Sequence, residues 1–306
     1  MVRIVQEHNT TSATFPLEEI ASFWDKNPCG SDFVEFKGEF RQFFIAYDAF
    51  RYAQLPYIID LLDRMDLSGK ELLEIGTGQG ADAQQIIQRG GIYTGVDLTE
   101  ESISRLRTRF DLFNLAYKEL RVENAEELSL PDESFDIVYS NGVLLTSPRI
   151  EKIVAHIHRV LKPGGHAVIM LYHKDSINYN LSIRVIRRLG IFFLFFPFVD
   201  RVVSALAGEP LNRLNKHKRN LRAQGLSYLK LENFIHKATD GPDNPYTSVW
   251  TKEDCNHLFA SFPQIRYETW FINERHFPIV RYLIPRKLKR KIENRWGWNL
   301  LIFARK

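Results

Sequence analysis

Short apolar runs alternate with amphipathic segments between Lys70 and His173. The apolar runs have the length of strands, whereas the segments between them repeat apolar residues at helical spacing, as Ile103, Leu106 and Phe110 do. Strands that alternate with helices form a parallel sheet covered on both faces. The pattern therefore predicts an α/β fold, with strand candidates at 70–75, 92–97, 119–124, 135–140 and 166–173.

Local signals predict where several helices begin and end. Thr99 and Thr251 have the residue type of an N-cap, and acidic residues follow each of them in the first turn. Gly90-Gly91 is expected to stop the first helix of the α/β region. Lys162-Pro163-Gly164-Gly165 is expected to end the last one and to place the fifth strand.

The alternation stops after Lys174 and returns only near the end of the chain. Residues 176–231 are typical of helices, and 265–272 and 298–305 are the last strand candidates. We therefore divide the chain into four regions. These are a helical lid at 1–69, a Rossmann-like core at 70–174, a helical cap insertion at 175–238, and a C-terminal completion of the sheet at 239–306 that includes a basic excursion at 275–296.

Three glycines at alternate positions follow the first predicted strand. Gly76, Gly78 and Gly80 stand between Glu74-Ile75 and the next helix. Because glycine has no Cβ, the backbone N–H groups of such a loop can approach a ligand closely. The third glycine comes one residue too early for the dinucleotide fingerprint, so a nicotinamide cofactor is the weaker interpretation.

Asp97 ends the second predicted strand, beside the expected position of the glycine loop. A carboxylate at that strand tip can accept hydrogen bonds from both ribose hydroxyls of a bound nucleoside. The alternative is an aspartate that caps the next helix. The adjacent glycine loop favours the ribose role.

The spacing E-x-G-x-G-x-G over 74–80 resembles motif I of class I S-adenosylmethionine-dependent methyltransferases. Two further segments agree: 124–136 is similar to the adenine-contact segment of that family, and Arg159–Gly165 is similar to the turn before its fifth strand. Over 23–174, 239–262 and 298–306 the chain resembles type 11, the ubiquinone and menaquinone biosynthesis methyltransferases. The resemblance implies a seven-stranded Rossmann-like sheet of order 3-2-1-4-5-7-6, with the seventh strand antiparallel.

S-adenosylmethionine is the cofactor that this resemblance implies. The sequence departs from the family in three places: Asn124 replaces an aspartate, Ser129 replaces a proline, and Leu145-Thr146 replaces a pair of histidines. An asparagine oxygen can still accept a hydrogen bond from an adenine amino group. The cofactor-binding residues that we predict are Glu74, Gly76, Thr77, Gly78, Gly80, Asp97, Leu98, Asn124, Ala125, Glu126 and Ser140.

Methyl transfer from a sulfonium requires mainly the alignment of acceptor, methyl carbon and leaving sulfur. A base helps only where the acceptor is a hydroxyl or an acidic carbon. Tyr172 and His173, just after the fifth strand, are our catalytic candidates, although a solvated loop histidine is an equally good interpretation of His173. Tyr47, Arg51 and Tyr52 are candidate lid residues, and pairing with an acid is the alternative for Arg51.

Neither a metal site nor a disulfide framework is predicted. His156 and His158 are two apart on a helix and face different directions. Cys29 and Cys255 are the two cysteines and form no CxxC pattern, which suits a reducing cytoplasm, and we expect Cys29 to be an unreactive packing residue. We expect no secretory signal and no membrane-spanning helix, since the longest uncharged apolar run, 189–199, has 11 residues.

The charge is mildly basic, with 41 Lys and Arg against 37 Asp and Glu and a pI near 8.9. This balance does not require nucleic acid as a partner. The basic residues matter more at 189–230, where they follow five phenylalanines between 192 and 198, and in the separate segment 281–295. Either the phenylalanines form the core of the cap, which we favour, or these segments contact an anionic membrane.

The predicted function is transfer of a methyl group to a small-molecule acceptor, either lipophilic or glycosylated. Methyltransferases of lipids or quinones at a membrane surface are one alternative. A methyltransferase fold that only binds ligands is another, because fold does not determine chemistry. An enzyme acting on nucleic acid ranks last. The acceptor atom, whether oxygen, carbon or nitrogen, stays open.

Overall fold

The apolar runs form one seven-stranded sheet in the computed structural model, which describes residues 17–30, 33–196, 198–273, 277 and 283–306. Predictions for 1–16 and for most of 274–282 lie outside this part of the chain. The strands are β1 (Glu71–Ile75), β2 (Ile92–Asp97), β3 (Glu119–Val122), β4 (Phe135–Asn141), β5 (Leu161–Tyr172), β6 (Gln264–Trp270) and β7 (Asn299–Arg305).

The order of the strands is β3-β2-β1-β4-β5-β7-β6. The first five strands run parallel to one another, and β7 pairs antiparallel with both β5 and β6. This confirms the predicted α/β class, the Rossmann-like sheet and the strand order. The carboxyl ends of β1, β2 and β4 consequently meet at one edge, where ligands bind in such folds.

Helices cover both faces of the sheet and build a cap after β5. The two predicted N-caps are confirmed, because Thr99 Oγ1 accepts from the Ser102 N–H at 3.3 Å and Thr251 forms a capping box with Asp254. The helices are α1 (Leu17–Lys26), α2 (Phe40–Gln54), α3 (Tyr57–Arg64), α4 (Ala81–Gln88), α5 (Glu100–Phe113), α6 (Ile150–Val160), α7 (Arg188–Phe192), α8 (Val199–Ala207), α9 (Leu211–Gln224), α10 (Leu231–Thr239), α11 (Lys252–Leu258) and α12 (Arg286–Trp296), with a π-helix at Asn178–Arg187.

Two apolar layers hold the helices against the sheet. On one face, α6 and α11 pack through residues such as Val154 and Cys255. On the other face, α3, α4 and α5 pack through residues such as Leu62, Ile86 and Phe110. All five side chains are almost completely buried, so helices cover both faces of the sheet. Strands that are covered on both faces have nearly continuous apolar sequences.

The fifth strand begins five residues earlier than predicted. Leu161 pairs with Phe135 and His166 pairs with Ile137, so the register shifts between these pairs and 162–165 forms an irregular segment within β5. Gly164 supports it with a φ of 80°. Helix α6 ends at Val160, directly before this segment, as expected, but the segment belongs to β5 instead of forming a separate turn.

The insertion after β5 is helical, as predicted, and has its own apolar core. Leu214, Leu221, Tyr228 and Phe234 are buried there and pack toward Trp298. The five phenylalanines are not in this core. Their exposed fractions are 38% for Phe192, 47% for Phe193, 43% for Phe195, 55% for Phe196 and 72% for Phe198. The favoured interpretation of these phenylalanines as core residues is therefore wrong.

Among the described residues, we find no helix with both the length and the apolar character needed to cross a bilayer.

Candidate active site

The glycine loop follows β1 and packs against two neighbouring segments. A Cβ on Gly76 would lie 2.2 Å from Val143 Cγ2, and one on Gly80 would lie 2.3 Å from Leu106 Cδ1. A Cβ on Gly78 would meet only Cys29, at 3.9 Å. All three glycines have positive φ. Gly76 and Gly80 therefore permit close packing, whereas Gly78 keeps open space beside the loop.

Asp97 holds this loop in place from the tip of β2. Its Oδ2 accepts hydrogen bonds from the Thr77 N–H at 2.8 Å and the Gly78 N–H at 3.3 Å. Its Oδ1 accepts from the N–H and the hydroxyl of Thr99, both at 3.0 Å. Asp97 thus links the glycine loop to the start of α5, and it also lines the cavity described below.

Glu74 is 3% exposed and accepts a hydrogen bond from the Tyr93 hydroxyl at 2.5 Å. Burial, reinforced by the nearby carboxylate of Asp82, holds the pKa of Glu74 well above its usual range. A protonated carboxyl at this position is a hydrogen-bond donor and carries no charge. The side chain borders the cavity from below the glycine loop.

Asp82, in the first turn of α4, is a buried acid that sequence reasoning missed. Arg51 donates two hydrogen bonds to its carboxylate, at 2.9 and 2.5 Å, and the hydroxyls of Tyr139 and Tyr52 donate at 2.8 and 3.2 Å. Burial alone would raise the pKa of Asp82, but the Arg51 guanidinium outweighs it, so the pKa lies below its usual value. The alternative interpretation of Arg51, pairing with an acid, is the one that the geometry supports.

The predicted adenine segment forms a short turn at the edge of the sheet. Asn124 Oδ1 accepts from the Glu126 N–H at 3.0 Å and so caps the turn at Ala125–Glu127. Glu126 is 2% exposed, takes a hydrogen bond from Ser147 at 2.6 Å and pairs with Arg149 at 2.5 Å. Asn124, Ala125 and Glu126 all line the cavity.

Two predicted cofactor contacts lie elsewhere. The hydroxyl of Ser140 donates to the Ile75 carbonyl at 2.8 Å and ties β4 to β1, while its neighbours Asn141 and Gly142 line the cavity instead. Gly80 faces α5 and is likewise outside the cavity lining. Both residues shape the site through packing.

The first cavity, which we call the cofactor cavity, has a volume of about 250 Å³ at the carboxyl edge of the sheet. Gly76, Thr77, Gly78, Asp97 and Leu98 line it, together with Leu17, Ile20 and Trp24 of α1, which covers it. Its acidic lining residues are Asp82, Asp97, Glu123, Glu126 and Asp240, against the single basic residue Arg51, and Glu74 adds a carboxyl group whose raised pKa keeps it neutral. Such a lining favours a cationic ligand.

Tyr172 and Asp240 stand at the far end of the cofactor cavity. The Tyr172 hydroxyl donates to Asp240 Oδ1 at 2.7 Å, and its ring stacks on Trp298 with centroids 4.4 Å apart. Burial raises the pKa of Asp240, although hydrogen bonds from Tyr172 and Thr247 oppose the rise. Burial and the Asp240 carboxylate also raise the pKa of Tyr172 well above its usual range. Asp240 is therefore the better proton acceptor of the two.

His173 neither reaches the site nor is exposed to solvent, so the structure agrees with neither interpretation of it. Its exposed fraction is 2%, and Nδ1 lies 3.0 Å from the Gly297 carbonyl oxygen. Burial lowers the pKa of His173. It lines neither cavity, because β5 alternates its side chains between the two faces and Tyr172 takes the face toward the site.

A second cavity of about 270 Å³ adjoins the first, and we call it the acceptor cavity. The two share Tyr172, Asp240, Arg51, Cys29 and Trp24 among their lining residues. The walls are largely aromatic, with Phe23, Phe33, Phe50, Phe271 and Trp298, and the cap contributes Arg213 and Lys216 from α9. Five charged residues, Arg51, Arg213, Lys216, Asp240 and Asp243, also line it, so the cavity suits a ligand with an apolar body and a polar or charged group.

The predicted lid residues Tyr47, Arg51 and Tyr52 all lie on α2, and their role as a lid stays a prediction. Tyr47 and Arg51 line both cavities, whereas Tyr52 points to Asp82. Asp240 was missed because it lies 68 positions from its partner Tyr172 in a loop that carries no motif. Asp82 had a weak signal, an acid in the first turn of the helix after the glycine loop.

The sheet order, the glycine loop and the acid at the tip of β2 together define a Rossmann-like methyltransferase domain. Residues 73–169 match the model of the type 11 methyltransferase domain family.

Two curated relatives illustrate the range of the family. The chain is 32% identical over 119 residues to arsenite methyltransferase from Aquipseudomonas alcaligenes, covering 36% of this chain and 33% of that protein. It is 33% identical over 118 residues to fatty-acid O-methyltransferase from Mycolicibacterium smegmatis, covering 38% and 41%. The matched part of the chain thus spans less than half the length of these relatives.

A solved structure supports the fold over a longer range. A chain from the complex of the Haloferax volcanii Trm112 methyltransferase activator with its partner protein is 15% identical, with a TM-score of 0.50. The match covers 86% of this chain and 95% of that one. It supports the architecture alone.

The family implies S-adenosylmethionine as cofactor, and the cavity fits that molecule. The open space at Gly78 lets a ligand approach the loop, where a Cβ would enter the cavity. The acidic lining suits a sulfonium and an ammonium group, and Asp97 lines the cavity beside the glycine loop that it anchors.

Proposed function

We propose that the chain transfers a methyl group from S-adenosylmethionine to a lipophilic small molecule held in the acceptor cavity. The observation that carries this proposal is the junction of the two cavities at Tyr172 and Asp240. A nucleophile in the acceptor cavity would meet the methyl group there, and the transfer needs the two reactants in line.

Bound S-adenosylmethionine would supply an electrophilic methyl group on a positively charged sulfur. The chain's own residues would bind the cofactor, exclude water and accept a proton. Asp97, Gly78 and Asn124 would hold the cofactor, and α1 with Trp24 would exclude water. Where the acceptor loses a proton, Asp240 would take it through one of its carboxylate oxygens, since it is the buried carboxylate at the junction whose pKa is raised.

The acceptor cavity favours a molecule with an apolar body. Phe33 stacks on Phe50 with centroids 5.4 Å apart, and Trp298 stacks on Tyr172. One curated relative acts on fatty acids according to its name, and lipophilic acceptors are thus within the range of the family. Lys216 at the same cavity can attract an anionic group of the acceptor.

The test is incorporation of radioactive methyl from S-adenosylmethionine into an organic-solvent extract. A panel of fatty acids, long-chain amines and alkylphenols samples carboxyl, amine, hydroxyl and ring-carbon acceptors. We expect label in at least one product, and we expect Phe33→Ala to raise its KM several-fold with little change in kcat, because Phe33 lines the acceptor cavity and not the cofactor cavity. Label in water-soluble acceptors alone would contradict the lipophilic class. Cofactor binding without any methyl transfer would instead favour the alternative of a methyltransferase fold that only binds ligands.

A further inference from the structure

The segment 189–198 carries apolar side chains that are exposed and lie outside the buried core of the cap. Leu189, Phe192, Phe193, Phe195, Phe196 and Phe198 are each between 38% and 72% exposed. Ile191 and Leu194, at 4% and 0%, anchor the segment to the core of the cap. We call the six exposed side chains the phenylalanine surface. An apolar patch of this kind on a folded domain marks a contact surface.

The most exposed of these residues also has an unusual backbone. Phe198 has a φ of 66°, a conformation that bulky side chains rarely adopt and that glycine or asparagine would adopt at lower cost. Its ring is nevertheless 72% exposed, so packing within the described chain does not explain it. A contact outside the chain would.

The charge around the phenylalanine surface indicates what it contacts. Residues 177–230 contain ten Lys and Arg and only two acids, Asp200 and Glu209. Both acids are paired, Asp200 with Lys218 at 3.8 Å and Glu209 with Arg213 at 3.1 Å. The whole chain has an excess of only four basic residues, so the rest of it is net acidic. Five of the ten basic residues are exposed, namely Arg184, Arg201, Arg219, Arg222 and Lys230, whereas Arg213 is buried in the wall of the acceptor cavity.

We propose that the phenylalanine surface inserts into the headgroup region of an anionic lipid bilayer. Aromatic side chains bury into the acyl boundary while surrounding Lys and Arg attract anionic lipids. A second copy of this chain is a poorer occupant, because an isologous contact would bring two strongly basic surfaces together. The proposal assigns the contact to the cap alone. In the described part of 281–295, α12 lies along β6, where Thr269 Oγ1 donates to the Glu293 carbonyl at 2.8 Å.

The same cap borders the acceptor cavity. Helix α9 packs against α7 and α8, and it carries Arg213 and Lys216 in the wall of that cavity. A bilayer seated on the phenylalanine surface would therefore lie on the cap that closes the acceptor cavity. This link rests on the proposed function, but membrane binding itself does not.

The test is co-sedimentation of the full chain with vesicles of phosphatidylcholine, with and without 30% phosphatidylserine. We expect at least tenfold stronger binding to the anionic vesicles, and we expect this preference to shrink as salt rises. Phe196→Ser/Phe198→Ser should weaken binding at least tenfold. The matched control is Ile45→Ser/Val122→Ser, which changes two side chains of 56% and 45% exposure elsewhere and should bind within twofold of wild type.

A second pair of variants separates charge from insertion. Arg184→Gln/Arg201→Gln removes two exposed basic residues and should weaken binding to anionic vesicles several-fold without changing binding to neutral ones. Circular dichroism and calorimetric titration with S-adenosylhomocysteine verify that each variant is folded, independently of vesicles. Equal binding by the phenylalanine variant and its control would overturn the proposal. So would a wild-type dimer that the phenylalanine variant dissociates and that binds no vesicles.

Discussion

The two cavities that meet at Tyr172 and Asp240 are built in different ways. The cofactor cavity is formed mainly by the ends of β1, β2 and β4 and the loops that directly follow them. The acceptor cavity takes its walls from the N-terminal helices, the cap, the loop at 239–243 and the final strands. A binding site at the edge of a parallel sheet is therefore encoded by local sequence, whereas an acceptor site assembled from distant segments is not.

Asp240→Asn provides the largest expected effect and tests the junction of the two cavities. Without this proton acceptor, kcat should fall about 10²- to 10⁴-fold when the methyl acceptor must lose a proton. The affinity for S-adenosylmethionine should stay the same. Because the pKa of Asp240 is raised, wild-type kcat/KM should fall as pH decreases through a value above the usual aspartate pKa of about 3.9. The variant should lack this acidic limb.

The control for that experiment is Asp175→Asn, a 64% exposed carboxylate near the buried His173. It should retain kcat within twofold. A full pH profile in Asp240→Asn, identical in shape to that of wild type, would contradict the assignment of Asp240 as proton acceptor.

Gly76→Ala tests the packing of the glycine loop that bounds the cofactor cavity. Its Cβ would collide with Val143 at 2.2 Å, and its φ of 80° is unfavourable for alanine. We expect a loss of unfolding free energy of about 2–4 kcal/mol. Gly38→Ala is the matched control, since Gly38 has a φ of 87° but no atom within 4 Å of an added Cβ, and should cost about 1 kcal/mol. Urea unfolding measures both, and equal losses would show that the close contact is unimportant.

Buried histidines should make the cap more sensitive to acid than β1 and β4, which contain no histidine. Burial lowers the pKa of His236 to about 4, and that of His217, which is close to Tyr228, falls well below its usual value. A neutral histidine in the folded state contributes stability above the unfolded pKa of about 6.5, and that contribution is lost as pH falls toward the folded value. Each should add a slope of up to about 1.4 kcal/mol per pH unit.

Hydrogen exchange of amides at 211–239 between pH 7 and pH 5 measures this effect directly. His217→Gln should reduce the pH dependence even if it lowers stability overall, because a glutamine does not titrate. The prediction would be contradicted if protection against exchange fell no more in the cap than in β1 and β4.

The fold and the cofactor side of the site were predictable from sequence because their signals are local. The strand order followed from the resemblance, and Gly76, Gly78 and Asp97 lie where the motif implied. Gly80 and Ser140 belong to the motif segments but face α5 and β1 and do not line the cavity, so their role as cofactor contacts stays a prediction. Only contacts between segments decide which way such residues face.

The acceptor side could not be predicted for a physical reason. Asp240 becomes buried only when the loop after α10 folds against Tyr172, 68 positions away. The position of His173 depends on which face of β5 its neighbour occupies, a matter of strand register. Likewise, the phenylalanines at 192–198 form an apolar run whose pattern does not reveal which of them the cap will cover.

The most direct test of the whole account is calorimetric titration of the purified chain with S-adenosylmethionine and S-adenosylhomocysteine. We predict micromolar binding, about −8 kcal/mol, that weakens by about 1.5–3 kcal/mol in Asp97→Ala, since a charge-assisted hydrogen bond and the anchor of the glycine loop are lost. Asp63→Ala, an exposed carboxylate paired with Arg89, should bind like wild type. Absence of binding to either ligand, or equal binding by Asp97→Ala, would contradict the assignment of the cofactor cavity.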